Sequence, residues 1–219
     1  MPTITRLELQ ARRRDRVNVF LDEAFAFSVS VELAAALRKG QVLSEAETTG
    51  LRAEDGYRQA LGRALRYLGH RSRTRVEVER KLAESEVEPP VVARVLGRLD
   101  ELGLLDDADY AARFVEQRQN HRPEGARALR YALGRRGVPD HVVAAVTEGI
   151  DEDTLARRVA LDRLPRYAGC DRPVFERRLG GFLQRRGFGP DAVRAAVRAA
   201  WEARGVLSSP GQAPESSLE

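Results

Sequence analysis

The sequence predicts a mainly α-helical chain, with three tandem three-helix repeats in an elongated array and a small N-terminal antiparallel β region. Three observations carry that expectation. Period-two alternation is confined to the first thirty residues, and helical spacing dominates from Tyr57 to Arg204. The apolar residues beyond the N-terminal region are mostly Ala, Leu and Val, and Ala, Leu and Arg rank high in helix propensity. Finally, several positions recur at a constant offset. Leu82, Leu133 and Leu183 lie 51 and 50 residues apart, as do Val87, Val138 and Phe188, and Val92, Val143 and Val193. Arg135-Arg136-Gly137-Val138 and Arg185-Arg186-Gly187-Phe188 are near-copies, and so are Arg122-Pro123 and Arg172-Pro173. One such match is easy by chance; a constant offset across many positions is the mark of a repeat.

Element by element, Ile4 to Gln10, Arg16 to Asp22 and Ala24 to Ser30 read as strands. Val17, Val19 and Leu21 alternate in the second, and Phe25, Phe27 and Val29 in the third. Asp22-Glu23 makes a hairpin turn, and Arg12 to Asp15 another. Val31 to Lys39 reads as a short helix ended by Gly40, and Ser44-Glu45-Ala46-Glu47 as a capping box that opens the next. Leu61, Leu65 and Leu68, with Ala60 and Ala64, form the stripe of the first repeat's leading helix. A helix from Thr74 to Ser85 follows, then one started by Glu88-Pro89-Pro90 and stopped by Gly103. Tyr110 to Val115, Leu129 to Leu133 and Val142 to Val146 mark the second cycle. Leu155 to Leu164, Phe175 to Leu183 and Val193 to Trp201 mark the third. Glu86 stands where the other repeats have Gly. The domains expected are 1–56 for strands and short helices, repeats at 57–105, 106–150 and 151–205, and a disordered tail at 206–219. Each repeat of about fifty residues is marginal alone, so neighbours are expected to stack through shared faces.

Composition limits the function. The net charge is +4 and the pI about 9.6, with 37 basic residues, of which only Lys39 and Lys81 are lysine. Residues Val206 to Glu219 hold two Glu and no base, so the body before them carries +6. Such a charge suits a nucleic-acid or acidic-protein partner, although a codon bias towards Ala, Arg and Gly also produces many arginines. Cys170 is the single cysteine, which excludes a disulfide framework within one chain and points to a reducing, cytoplasmic setting. No run approaches the roughly 18 apolar residues of a membrane span, and no signal-peptide core is present.

The search for chemistry returns little. No phosphate-binding loop occurs, and Gly180-Gly181 reads as close helix packing. His70, His121 and His141 share no metal-ligand spacing, and nothing near Cys170 activates a nucleophile, so no catalytic, metal or cofactor site is expected. Asp106-Asp107-Ala108-Asp109 and Asp151-Glu152-Asp153 precede helices, where acids cap free N–H groups. The arginines are the better lead. Arg71, Arg73 and Arg75 cluster at the first junction; Arg127, Arg130, Arg135 and Arg136 lie along the second repeat's middle helix; Arg177, Arg178, Arg185 and Arg186 lie along the third's. Side-by-side stacking of these helices would merge them into one basic stripe for phosphates or an acidic groove. The alternative is a solvated helix face.

Two stretches carry a family resemblance. Tyr57 to Leu82 (YRQALGRALRYLGHRSRTRVEVERKL) has a basic junction before a Glu-x-x-x-Lys-Leu helix. Leu99 to Arg118 (LDELGLLDDADYAARFVEQR) is similar to a Leu-x-x-x-Gly-x-x-Asp-Asp-x-x-Tyr/Phe-Ala-x-x-Phe-Val pattern. Over roughly Gln41 to Arg204 the chain resembles the RecX family of bacterial RecA regulators. The resemblance implies a monomeric, non-enzymatic modulator that docks in the groove of a RecA–DNA filament. It would hinder ATP-coupled strand exchange and damp the DNA-damage response, without a cofactor. An autonomous, sequence-tolerant DNA-binding module is the competing expectation.

Overall fold

The computed structural model describes residues 1–208, with side chains through Arg204. It divides into two compact units, residues 1–105 and the part beginning at Asp106.

In the first unit, β1 (Ile4–Leu9), β2 (Arg16–Leu21) and β3 (Ala24–Ser30) form an antiparallel meander in the order β1-β2-β3. Asp22 and Glu23 both take positive φ, 47° and 69°, the left-handed pair that a tight two-residue hairpin requires. Alternation puts Val17, Val19, Phe27 and Val29 on one face, buried with Ile4, Ala34, Leu37 and Leu43. The other face carries Phe20 and Phe25 edge-to-face, with the Arg6 guanidinium 3.8 Å above the Phe20 ring.

The helix expected over Val31 to Lys39 is only one turn, α1 (Val31–Ala34), capped by Ser30. The chain then turns to Gly40, whose φ is +85°, because Gly40 and Gln41 hydrogen-bond back to Ile4 and so close the sheet's edge. A larger difference follows. The capping box of Ser44 and Glu47 opens one continuous helix, α2 (Glu45–His70), that crosses the expected boundary at residue 56. Gly50 and Gly56 lie inside this helix; both are solvent-exposed and cost only about 1 kcal/mol each there. Leu51 packs on the sheet core, whereas Ala60 and Ala64 belong to the helical core, so burial at both ends holds the helix through the glycines. Leu65, expected in the stripe, is 39% exposed; the small alanines make the close contact instead.

Helices α3 (Arg75–Ala83) and α4 (Pro89–Glu101) complete the first repeat around Val78, Leu82, Val95 and Leu99. The second unit holds α5 (Asp107–His121), α6 (Ala126–Gly134) and α7 (Asp140–Glu148), then α8 (Glu152–Arg163), α9 (Arg172–Arg185) and α10 (Pro190–Ser208). The expected tail begins inside α10, and residues 209–219 lie outside the described ones.

The repeat is visible residue by residue. Leu82, Leu133 and Leu183 are buried, as are Val92, Val143 and Val193. After each middle helix the chain passes through a left-handed residue: Glu86 at φ 56°, Gly137 at 75° and Gly187 at 82°. The next residue's N–H then returns to the buried leucine's carbonyl, Val87 to Leu82, Val138 to Leu133 and Phe188 to Leu183. This is the Schellman geometry, and Glu86 adopts it without glycine's freedom.

A candidate arginine-rich binding surface

The acidic runs behave largely as caps. Asp106 accepts from the amides of Ala108 and Asp109, and Asp151 from Thr154, which lowers the Asp151 pKa. Glu152 does something the sequence does not suggest. One carboxylate oxygen accepts from the Ala126 amide at the start of α6 (2.6 Å), and the other from the Gly189 amide just before α10 (2.7 Å). A single carboxylate thus answers the orphan N–H groups of two helix starts, each a positive dipole end.

The arginine cluster of the first repeat is largely engaged within the fold. Arg71 pairs with Glu77 at 3.0 Å and Arg75 pairs with Asp100. Arg73 is half-buried and stacks over Tyr67, 4.1 Å from the ring centre. Its Nε is buried without a hydrogen-bond partner. Surface pairing of this kind adds little stability, but it cancels charge.

Along α6, Arg127 donates to the Gln184 carbonyl (2.8 Å) and Arg130 to the Thr147 hydroxyl (2.9 Å). Arg136 is half-buried, donates to the Ala132 carbonyl and lies 4.7 Å over Phe114. Arg135 is exposed, 6.0 Å over the Tyr131 ring. Along α9, Arg186 repeats the behaviour of Arg136: it donates to the Pro123 carbonyl (2.9 Å) and stacks 5.1 Å over Phe182. Burial first, then the nearby Arg122 and Arg163, push its pKa below the usual guanidinium value. Arg163 lies 4.2 Å over the same Phe182 ring.

Arg177, Arg178 and Arg185 are exposed and have no ion-pair partner among the described residues. Arg178 and Arg185 are seven residues apart, so they share one face of α9, about 10 Å apart along its axis. Gly181 lies between them on that face, and the opposite face buries Phe175, Leu179 and Leu183.

The side-by-side alignment of Arg-rich helices expected from the repeat is not what the fold builds. Helices α6 and α9 meet at their ends. The Gly125 amide donates to the Arg186 carbonyl at 2.9 Å, and a Cβ on Gly125 would collide with the Gly187 carbonyl. A Cβ on Gly187 would likewise collide with the Ala128 backbone. Three of the proposed binding arginines, Arg127, Arg136 and Arg186, therefore serve carbonyls and aromatic rings, and what stays presented on α9 is the shorter Arg177, Arg178 and Arg185 patch. Sequence alone does not single out Arg122 and Arg163, which add charge beside Arg186. The recurrence of Arg122-Pro123 as Arg172-Pro173 is a local signal for Arg122, and Arg163 has none.

Comparison with known proteins places this architecture. The model of the regulatory protein RecX N-terminal domain matches residues 2–44. Models of the first, second and third three-helix domains of RecX match residues 60–99, 106–146 and 151–197. Regulatory protein RecX of Bacillus subtilis (strain 168) is 29% identical over 203 residues, covering 90% of this chain and 76% of the relative. Regulatory protein RecX of Mycobacterium sp. (strain JLS) is 42% identical over 137 residues, covering 59% of this chain and 75% of the relative. A crystal structure of regulatory protein RecX superposes with a TM-score of 0.70 at 26% identity, covering 90% of this chain and 98% of that one. With four domain models matched in order and three-helix cores repeating at the predicted offsets, the chain belongs to the RecX family.

Proposed function

We propose that this chain is a negative regulator of the RecA recombinase. In this reading it docks in the groove of the RecA–DNA filament, slows ATP hydrolysis and strand exchange, and so damps the DNA-damage response. The observation that carries the proposal is the complete run of RecX domains from residue 2 to residue 197, shared with relatives named regulatory protein RecX. The chain acts by binding, as a monomer in the cytoplasm, with no chemistry or cofactor of its own. No described helix is long and apolar enough to cross a membrane.

The contact group within the second unit is the exposed α9 patch of Arg177, Arg178 and Arg185, with Arg135 as a further exposed cation. Arginines without internal ion partners keep their full charge for phosphate or carboxylate groups. Arg127, Arg130, Arg136 and Arg186 contribute chiefly by holding the scaffold that presents them, and Arg71, Arg73 and Arg75 by contacts within the first unit. The same patch supports a second reading, an autonomous module that binds DNA through its backbone irrespective of sequence.

Titrating the full chain into RecA on single-stranded DNA, with ATP hydrolysis as readout, separates the two. A filament regulator lowers the rate at concentrations where it binds naked DNA weakly at physiological salt. Tight binding to naked DNA with RecA's ATPase untouched would overturn the first reading in favour of the second.

A further inference from the structure

We infer that the first unit carries a separate phosphate-binding cleft for the nucleic-acid backbone, between the β1–β2 turn and the outer face of α2. The cleft has a volume of about 560 Å³. Arg13 stands on the turn side, and Arg58, Arg63 and Arg66 on the helix side. Gln59, Arg63 and Arg66 follow at four- and three-residue steps, so α2 directs them to one side.

The floor is locked. Arg16 is buried and grips Asp55 through both guanidinium nitrogens, at 3.1 and 2.9 Å. Asp55 also accepts from the Ser30 amide and from Gln59 Nε2, which occupies its remaining acceptor capacity. Neither member of this pair is available to a ligand; the pair fixes the sheet against α2 and so sets the width of the opening.

The balance of charge decides the ligand class. Five guanidinium groups and three carboxylates line the cleft, an excess of two positive charges. Asp55 is committed to Arg16. Glu32 is held by its own backbone amide and the Ser30 hydroxyl, which with Arg58 nearby lowers its pKa. Arg58 pairs with Glu54 at 3.0 Å. What remains uncommitted is Arg13, Arg63 and Arg66 against the exposed Asp15. Among the described residues none of those three has a carboxylate partner; Arg63 only touches the Ser85 carbonyl at 3.5 Å. Three guanidinium groups without a carboxylate partner, lining one cleft that holds no aromatic ring, suit phosphate oxygens, not bases or an apolar peptide. The contact is therefore sequence-tolerant and salt-sensitive.

The inference concerns DNA alone, so it stands or falls independently of the RecA reading. The test is fluorescence anisotropy of a labelled oligo-dT strand with the full chain, from about 50 to 200 mM salt. The Arg13→Ala/Arg63→Ala/Arg66→Ala variant removes no ion pair and is expected to keep its thermal midpoint. Its plot of log affinity against log salt is expected to flatten by roughly two units, about 0.7 for each phosphate no longer neutralised. The Lys versions of the same three positions should keep most of the slope. A control that removes the same charge at Arg38, Lys39 and Arg80, outside the cleft lining, should flatten it less. No measurable binding by the full chain at low salt overturns the inference. An unchanged slope in the triple variant, or equal flattening by the control, does so as well. Loss of binding to a protein partner with DNA affinity intact would also overturn it, reassigning the cleft to an acidic protein surface.

Discussion

Arg135-Arg136-Gly137 and Arg185-Arg186-Gly187 end the middle helices of the second and third repeats with the same three residues. In both, the second arginine folds back over a phenylalanine, Phe114 or Phe182, and donates to a carbonyl, while the first stays exposed. In both, the glycine takes the left-handed turn. The two copies part company in what lies against the turn. Gly187 is buried and receives the start of α6, through Gly125 and Ala128, while Gly137 is only half-buried. Duplicated residues thus keep their local geometry but acquire a second task in one copy, as a socket between repeats. The exposed charge also differs: α9 presents Arg177, Arg178 and Arg185, whereas on α6 Arg127 and Arg130 are tied to Gln184 and Thr147. Sharing a motif does not mean sharing a role.

The sharpest way to break the parallel is to add a methyl group at each glycine. Gly187→Ala meets both the left-handed penalty and the Ala128 backbone, which cannot rotate aside, and is expected to cost about 4 kcal/mol in urea unfolding. Gly137→Ala meets the left-handed penalty at a half-buried position and should cost less, about 1 to 2 kcal/mol. Equal losses would mean that the junction between α6 and α9 contributes nothing.

The junction has a second support in Glu152. Glu152→Ala leaves the Ala126 and Gly189 amides without their acceptor, and a loss of about 3 kcal/mol is expected. Glu152→Gln keeps one acceptor oxygen and should recover part of it. If the alanine variant melts with the parent, solvent replaces both bonds and the clamp is dispensable.

The paired arginines give a smaller contrast. Arg186→Ala should destabilise by about 1 to 2 kcal/mol, because it removes the stacking on Phe182 and the carbonyl bond. Arg185→Ala should stay within about 0.5 kcal/mol and show its effect in partner binding instead. The reverse ranking would exchange the structural and the presented arginine. One expected change is a gain. Glu86→Gly gives the first repeat the residue its turn geometry favours, worth about 1 kcal/mol, and a loss would mean that the Glu86 side chain itself supports the turn.

Local patterns carried much of the fold. The strands appear within a residue of their period-two runs, and the Ser44 and Thr74 boxes mark where α2 and α3 begin. The offset leucines and Val92, Val143 and Val193 are buried as expected, as are Val138 and Phe188, whereas Val87 is only half-buried. Where a local pattern pointed the wrong way, a distant contact had outweighed it. The boundary expected at residue 56 falls inside α2, because cores packed at both ends of that helix hold it together. Tyr131 sits among the apolar markers of α6 and is 68% exposed, because Leu129 and Leu133 already fill the inward face. The arginines were legible as a class and not as individuals. A guanidinium that finds a carbonyl or a ring loses its availability, and those partners lie as far off as Pro123 is from Arg186.

The three-helix repeat, its offset and the left-handed glycine turn that closes the middle helices of the second and third repeats follow from the sequence by itself; the same turn at Glu86 does not. Burial at helical spacing and a residue tolerant of positive φ are properties of short segments. Which arginines remain presented, how α6 and α9 meet, and the committed floor beneath the Arg13, Arg63 and Arg66 cleft were decided only by the tertiary structure. Each involves groups far apart in the chain, such as Glu152 and Ala126, 26 residues apart, or Arg186 and Pro123, 63 apart. Hydrophobic periodicity sets which face of a helix turns inward and leaves open what its ends and its charged face will touch.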